Sequence, residues 1–402
     1  PVLIVIGLAL FIPLIMAVLE ARGLPSWHEV RSYLIPAIIA LTVGLIIGRQ
    51  RAAITNLSAN DALLITTAAW LVTGLVGSLP YIILLDTPVF DAIFEHTETN
   101  ALGSFAWVGR LEGVRHGRAV LVETHGLLFG KITMPGAIYE IRHLRDGQHV
   151  IDQIDQAAFP PELDPIAAGG SGLSASGVTA VQVDACDEIL VLVAYSPEAR
   201  AADGGTANIE SRIATAVVET NDSYINSGLT QRIHLAGVME TTAGDAVNDF
   251  DPDLAALKDL TDGIFDDVDT AREFHFADQV ALIIEDDDYC GLGYVDSDAA
   301  SAFVTVHRTC ATGYYSFAHE LGHNSGALHD WYVDDGDRAA HGWVYLPDRW
   351  RTIMAYDDLC DDTPPGTDCT RLQYWSNPDV DYGGIAMGVA DGTSRALSLI
   401  HI

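Results

Sequence analysis

Lysine is almost missing from this chain of 402 residues: Lys131 and Lys258 are the only two, and lysine and arginine together number 21 against 55 aspartates and glutamates. The net charge of −34 removes the basic surface that a phosphate backbone requires, so a nucleic-acid partner is excluded. Such acidity suits solubility, or function at high salt where surface repulsion is screened. Cysteine is also scarce, and none of the five sits in a nucleophile motif, which argues against cysteine-dependent catalysis. A GxSxG elbow is absent, so a serine nucleophile of that type is excluded, and Gly169–Gly177 (GGSGLSASG) reads as a linker. No acidic cluster matches an EF-hand loop. Asp286–Asp288 and Asp334–Asp337 therefore read as solvated surface, with Ca²⁺ as the alternative occupant.

What is present is the run HELGHNSGALHD at residues 319–330. His319 and His323 stand four apart, so on a helix both imidazoles leave the same face one turn apart. That spacing suits Zn²⁺, whose ring-nitrogen ligands lie at about 2.0–2.1 Å. Gly326 allows a sharp turn, after which His329 returns as a third ligand and a fourth position stays open for water and substrate. Glu320 lies beside the first histidine, placed to take a proton from a water that the metal activates. A structural zinc more often has four protein ligands including cysteines, and no cysteine stands near this helix.

With its extension, the motif resembles that of the metzincin zinc endopeptidases. Asp330 after the third histidine points to the reprolysin (adamalysin-like) branch and to the bacterial peptidyl-Asp metallopeptidases. The resemblance implies a methionine turn beneath the metal, which Met354 within Ile353-Met354-Ala355-Tyr356 supplies. It implies that Tyr356 helps to stabilise the transition state, and that water attacks a peptide carbonyl with Glu320 as general base. It also implies that an extended peptide or protein substrate pairs with the edge strand after Gly291 and Gly293, where glycine permits close backbone approach. Arg349 and Arg351, close to the methionine turn, are the candidates for favouring acidic side chains; solvent-facing arginines are the alternative.

Hydropathy patterning places strands at Ile189–Tyr195, Arg232–Met239, Gln279–Glu285 and Ala302–Arg308, and helices at 206–226 and Asp253–Leu260, before a motif helix starting near Thr312–Tyr315. This order is similar to that of a metzincin upper subdomain: an α/β (α+β) catalytic domain, residues 184–395, with a twisted mixed sheet and a zinc-binding helix. Cys290 with Cys310 and Cys360 with Cys369 are the pairings expected in an oxidising, exported setting, although connectivity stays open. Cys186 is left over; a buried or unpaired thiol is favoured over a zinc-blocking one.

The amino-terminal 97 residues differ in kind. Val2–Leu19, Tyr33–Gly48 and Ala62–Leu85 are apolar runs suited to about three transmembrane helices, with Arg49 and Arg51 placing the loop between the last two in the cytoplasm and the remainder outside. The first run lacks a basic n-region and the chain starts with Pro1, so it reads as a fragment of a longer reading frame rather than a signal peptide. Leu57–Glu95 resembles the start of Trk-type potassium uptake proteins, but the pattern dissolves after Thr97. A native leader, a chance anchor, a gene fusion and an assembly artefact all stay open. Residues 100–160 contain short strand-like runs between glycine turns, similar to a propeptide β-domain that covers the cleft until it is cut away, and 161–183 read as a linker. The leading function is a zinc endopeptidase, membrane-anchored with its catalytic domain outside the cytoplasm or secreted after processing. The alternative is a membrane potassium-transport fragment carrying a vestigial protease domain.

Overall fold

The short runs between glycine turns assemble, in the computed structural model, into one antiparallel six-stranded meander: β1 (Ala92–Thr99), β2 (Phe105–Leu111), β3 (Arg118–Thr124), β4 (Leu127–Met134), β5 (Ala137–Arg145) and β6 (Gln148–Ile154). The two-residue connection from β3 to β4 needs left-handed backbone at both positions, and His125 and Gly126 adopt φ of 54° and 77°. The structure describes residues 34, 38, 90–145, 147–168, 188–245, 250–334 and 340–389. The chain divides into two compact units, Pro1–Phe90 and Asp91–Ile402, and every element named here belongs to the second.

The sheet therefore starts earlier than the expected boundary at residue 100. Its β1 takes in the last residues of the segment likened to potassium uptake proteins, where Ala92–Thr99 pair with β2. The three apolar runs lie outside the described residues, apart from Leu34 and Ile38, as do Cys186 and the Gly/Ser stretch 169–177. Among the described residues no helix is long and apolar enough to cross a membrane.

The second sheet is mixed, with strand order β7 (Ile166–Ala167), β11 (Gly291–Val295), β12 (Phe303–His307), β10 (Gln279–Ile284), β8 (Glu188–Tyr195) and β9 (Arg232–Glu240). Strands β8, β9, β10 and β12 run parallel to their neighbours in that set, and β11 runs antiparallel to β12. Period-two alternation divides the core. Val191, Val193, Ala281, Ile283, Val304 and Val306 face helices α2 (Thr206–Asn226) and α5 (Ser316–Asn324). Leu192, Ala194, Val280, Leu282 and Ile284 face α3 (Phe250–Lys258) and α4 (Asp266–His275), while α1 (Pro197–Ala202) follows β8 directly. Both faces are covered, so β10 is buried at every position and is apolar throughout from Val280 to Ile284.

Helix α2 is held between the two sheets. Ile209, Ile213, Ala216 and Val217 pack on the mixed sheet, while Ala214 and Val218 pack against Ala106, Val108, Val120 and Val122 of the meander. Its polar side is consequently buried and carries ion pairs. Arg118 Nε donates to Asp222 at 3.0 Å, and Arg212 donates to Glu140 at 3.1 Å and to Asp203 at 2.7 Å. Helical periodicity in the sequence identifies this helix, yet the polar side that periodicity assigns to water is a second interface.

Residues 161–168 are not a free linker. Ile166 and Ala167 form β7, parallel to Tyr294 and Val295, on the outer edge of the mixed sheet. Disulfides join Cys290 to Cys310 and Cys360 to Cys369.

Candidate active site

Helix α5 begins after Tyr315, whose left-handed backbone (φ 67°) turns the chain into the first helical residue, and it is buried along its whole length. Four-residue spacing puts His319 and His323 on one side. Past the helix, Gly326 adopts φ 87°, a region that a side chain at that position would strain, and the reversed chain brings His329 back. The three Nε2 atoms form a triangle with sides of 3.1, 3.0 and 3.3 Å. A tetrahedral ion with bonds of about 2.0–2.1 Å would hold such nitrogens about 3.3–3.4 Å apart.

The ring tautomers are set from outside the triangle. His319 Nδ1 lies 2.8 Å from the Ile353 carbonyl and His323 Nδ1 lies 2.8 Å from the Ala327 carbonyl, so both Nδ1 atoms carry the proton. Their Nε2 lone pairs then face each other, and only a cation between them makes that arrangement favourable. Burial first, and neighbouring cationic groups second, hold His319 and His329 well below the ordinary imidazole range, while burial brings His323 down to about 4. Neutral donors of this kind fit a divalent metal.

Glu320 projects from the same helix under β11. A Cβ added at Gly291 would stand 2.4 Å from Glu320 Oε1, and one at Gly293 would stand 3.0 Å from Oε2, so these two glycines make room for the carboxylate. Burial, then the facing carboxylate of Glu162, push Glu320 well above the ordinary range, with Arg371 pulling the other way. The ligand atoms of Glu162, His319 and Glu320 lie within 4.8 Å of one another.

The methionine turn passes directly beneath. A Cβ at Gly322 would meet Met354 Sδ at 2.8 Å, so α5 and the turn come together at a position without a side chain. Asp330 accepts the Tyr356 N–H at 2.8 Å and the Tyr332 N–H at 3.1 Å, tying the strand after the third histidine to the turn. The Tyr356 ring lies 3.8 Å from that of His329, and its hydroxyl is buried without a partner in the described structure.

The chain's own residues 156–167 pass beside these groups. Cys290 N donates to Pro161 O at 2.9 Å and Leu163 N donates to Gly291 O at 3.1 Å, so this segment lies along β11. Glu162 is buried and accepts from Arg371 Nη1 at 2.6 Å and from Ser316 Oγ at 2.7 Å. Asp164 Oδ1 lies 3.6 Å from His329 Nδ1. The expected arginines are occupied elsewhere. Arg351 donates to the Ala355 and Cys369 carbonyls and to the Tyr314 hydroxyl, and Arg349 donates to the carbonyls of Thr363 and Cys360. Both hold main chain together, whereas Arg371, which carries no motif signal, is the guanidinium beside the histidines. His341 also escaped sequence reading; its Nδ1 lies 2.7 Å from the His329 carbonyl and its ring stacks on Trp331. The carboxylates of Asp286–Asp288 do cluster, but clustering is all that speaks for a cation there. Residues 335–337 of the other acidic run lie outside the described residues.

Three convergent imidazoles, a carboxylate behind them and an edge strand that receives extended chain are the parts of a metal-dependent peptide hydrolase. A family model described as metallo-peptidase family M12 matches residues 187–368. Peptidyl-Asp metalloendopeptidases from Stenotrophomonas maltophilia (strain R551-3) and Xanthomonas campestris pv. campestris are 36% and 37% identical over 301 and 296 residues, covering 70% of this chain and 68% and 67% of theirs. One from Pseudomonas fragi is 34% identical over 168 residues, 41% of this chain and 85% of that protein. A solved structure of metalloproteinase-II from Bacteroides fragilis aligns at a TM-score of 0.38 and 12% identity over 62% of this chain and 78% of that one, a likeness too weak to carry argument. The chain belongs to the family of these peptidyl-Asp metalloendopeptidases, within the reprolysin-like M12 metallopeptidases. It is a zinc-dependent endopeptidase that acts on peptide or protein substrates, and these likenesses give no support to a potassium-transport reading of Leu57–Glu95.

Proposed function

We propose that His319, His323 and His329 hold the catalytic zinc and that Glu320 is the general base. The observation that carries this reading is the triangle of Nε2 atoms at 3.0–3.3 Å, two of its rings fixed with the proton on Nδ1. Zinc, when bound, lowers the pKa of water toward about 7 and polarises the scissile carbonyl. Glu320 accepts the proton of the attacking water and returns it to the leaving amine. The Tyr356 hydroxyl, buried without a partner in the described structure, donates to the oxyanion that develops from the carbonyl oxygen. The substrate lies extended along β11, as residues 161–163 do. Relatives named for action at Asp support a preference for acidic side chains beside the cut.

The meander and residues 156–167 act as a proregion, and the enzyme is made latent and then cut. Export accords with two disulfides. The test is metal analysis combined with casein cleavage before and after limited proteolysis. One zinc per chain, with cleavage that a chelator abolishes and zinc restores, is expected; cleavage indifferent to the chelator would overturn the assignment.

A further inference from the structure

Arg371 is completely buried, yet its side chain is only partly answered. Nη1 donates to Glu162 Oε1 at 2.6 Å and to the Tyr314 carbonyl at 3.0 Å, while Nε and Nη2 have no hydrogen-bond partner among the described residues. Glu162 matches it, with Oε2 also buried and without a hydrogen-bond partner among the described residues. A guanidinium is a planar fork suited to two parallel bonds with a carboxylate, and here only one prong is used. Leaving buried donors unpaired is costly, so such a group is best explained as one that a better-placed ligand completes.

Position identifies that ligand. The guanidinium lies over the Tyr314 ring at 4.3 Å, and Phe159 stacks on the same ring with centroids 4.8 Å apart. Glu162, between Pro161 and Leu163 on the backbone that lies along β11, reaches Arg371 within 4.8 Å of Glu320 and His319. The side chain received there belongs to a residue flanking the bond to be cut. In a chain of net charge −34, an acidic substrate meets repulsion over most of the surface, and a fixed buried cation at this point is what would select it.

We propose that Arg371 is the specificity-determining residue that reads a carboxylate side chain next to the scissile bond, and that Glu162 is a tethered stand-in for that side chain, keeping the uncut chain latent. The single-pronged contact makes Glu162 an imperfect occupant, so an Asp or Glu of a substrate, free to seat both oxygens, displaces it once the segment is cut. This inference rests on the zinc endopeptidase reading and deepens it by naming how acidic residues are recognised.

The test uses the full chain, before and after limited proteolysis, and pairs of quenched peptides differing only in Asp against Asn, or Glu against Gln, beside the cut. After proteolysis the unaltered protein should favour the acid over its amide by about a hundredfold or more in kcat/KM. Arg371→Met should bring that ratio close to one, and Arg371→Lys, which keeps charge but loses the fork, should lower it about tenfold. Independently of activity, Glu162→Gln in the uncut chain should speed hydrogen exchange at the Leu163 amide and raise residual cleavage. An unchanged acid-to-amide ratio in both Arg371 variants, or unchanged exchange at Leu163, overturns the proposal. Absence of zinc-dependent casein cleavage by the unaltered, proteolysed protein would instead sink the endopeptidase reading, and the exchange measurement would still judge the Glu162–Arg371 lock.

Discussion

Asp330 Oδ2 accepts the backbone N–H of Tyr356 at 2.8 Å, joining the residue after the third histidine to the methionine turn. The same carboxylate takes the Tyr332 N–H through Oδ1 at 3.1 Å. One side chain thus fixes the two loops that flank His329. In Asp330→Ala two part-buried hydrogen bonds to a carboxylate are lost, which should cost about 1–3 kcal/mol of stability. Because His329 is then less well oriented, zinc affinity should fall about 10–100-fold. Competition with a coloured chelator measures the second effect and a thermal midpoint the first; a variant that binds zinc as tightly as the parent would show that Asp330 does not position the site.

Replacing Glu320 by Gln keeps shape and removes the base. Hydrolysis should drop by about 10²–10⁴-fold or more while one zinc per chain is retained. Metal analysis of the inactive variant checks the second half. Loss of zinc along with activity would mean that Glu320 supports the metal rather than moving a proton.

Gly291→Ala probes the same carboxylate from the opposite side. The added methyl would stand 2.4 Å from Glu320 Oε1 and 2.7 Å from its Cγ, too close for either atom to stay in place. Overpacking of this kind costs about 1–3 kcal/mol. The expected result is a lower kcat with zinc content unchanged, since none of the three histidine rings is among the atoms closest to the added methyl. Full activity in Gly291→Ala would show that Glu320 need not lie where the structure has it.

The candidate metal site is the part most legible in the sequence, because coordination chemistry demands fixed residue types at fixed spacings. His319, His323, His329, Glu320, Gly326 and Met354 all converge on one place. Strands β8 and β10 and helix α2 are equally visible through long apolar or periodic runs. Other parts carry no such signature. Helix α4 buries only Val268, so its sequence has hardly any apolar face to detect. Edge strand β6 is largely exposed and polar. Arg371 ends a two-residue strand, and Glu162 lies among prolines that look like a spacer; only folding brings them together across 209 positions. Arg351 stands close to the methionine turn in the sequence, but sequence distance does not tell which way a guanidinium points.

The interface between the meander and helix α2 should respond to pH in a defined way. Glu219 of α2 accepts the Gly313 N–H at 3.1 Å, and burial pushes its carboxyl up to about 7, with Glu140 and Asp222 adding to the rise and Lys131 opposing it. Burial would raise Glu140 as well, but Lys131 and Arg212 outweigh it and bring it down to about 2. The two groups act in opposite directions. For Glu219 the unfolded chain ionises first, at about 4.5, so its contribution to stability is greatest below that pH and declines until about 7, by roughly 3 kcal/mol. For Glu140 the contribution is present above about 4.5 and is lost as pH falls toward 2. Thermal midpoints taken from pH 4.5 to 7.5 on the parent and on Glu219→Gln isolate the first effect. The parent should lose stability relative to the variant as pH rises through this window, and parallel curves would show that Glu219 keeps an ordinary carboxyl in the folded protein.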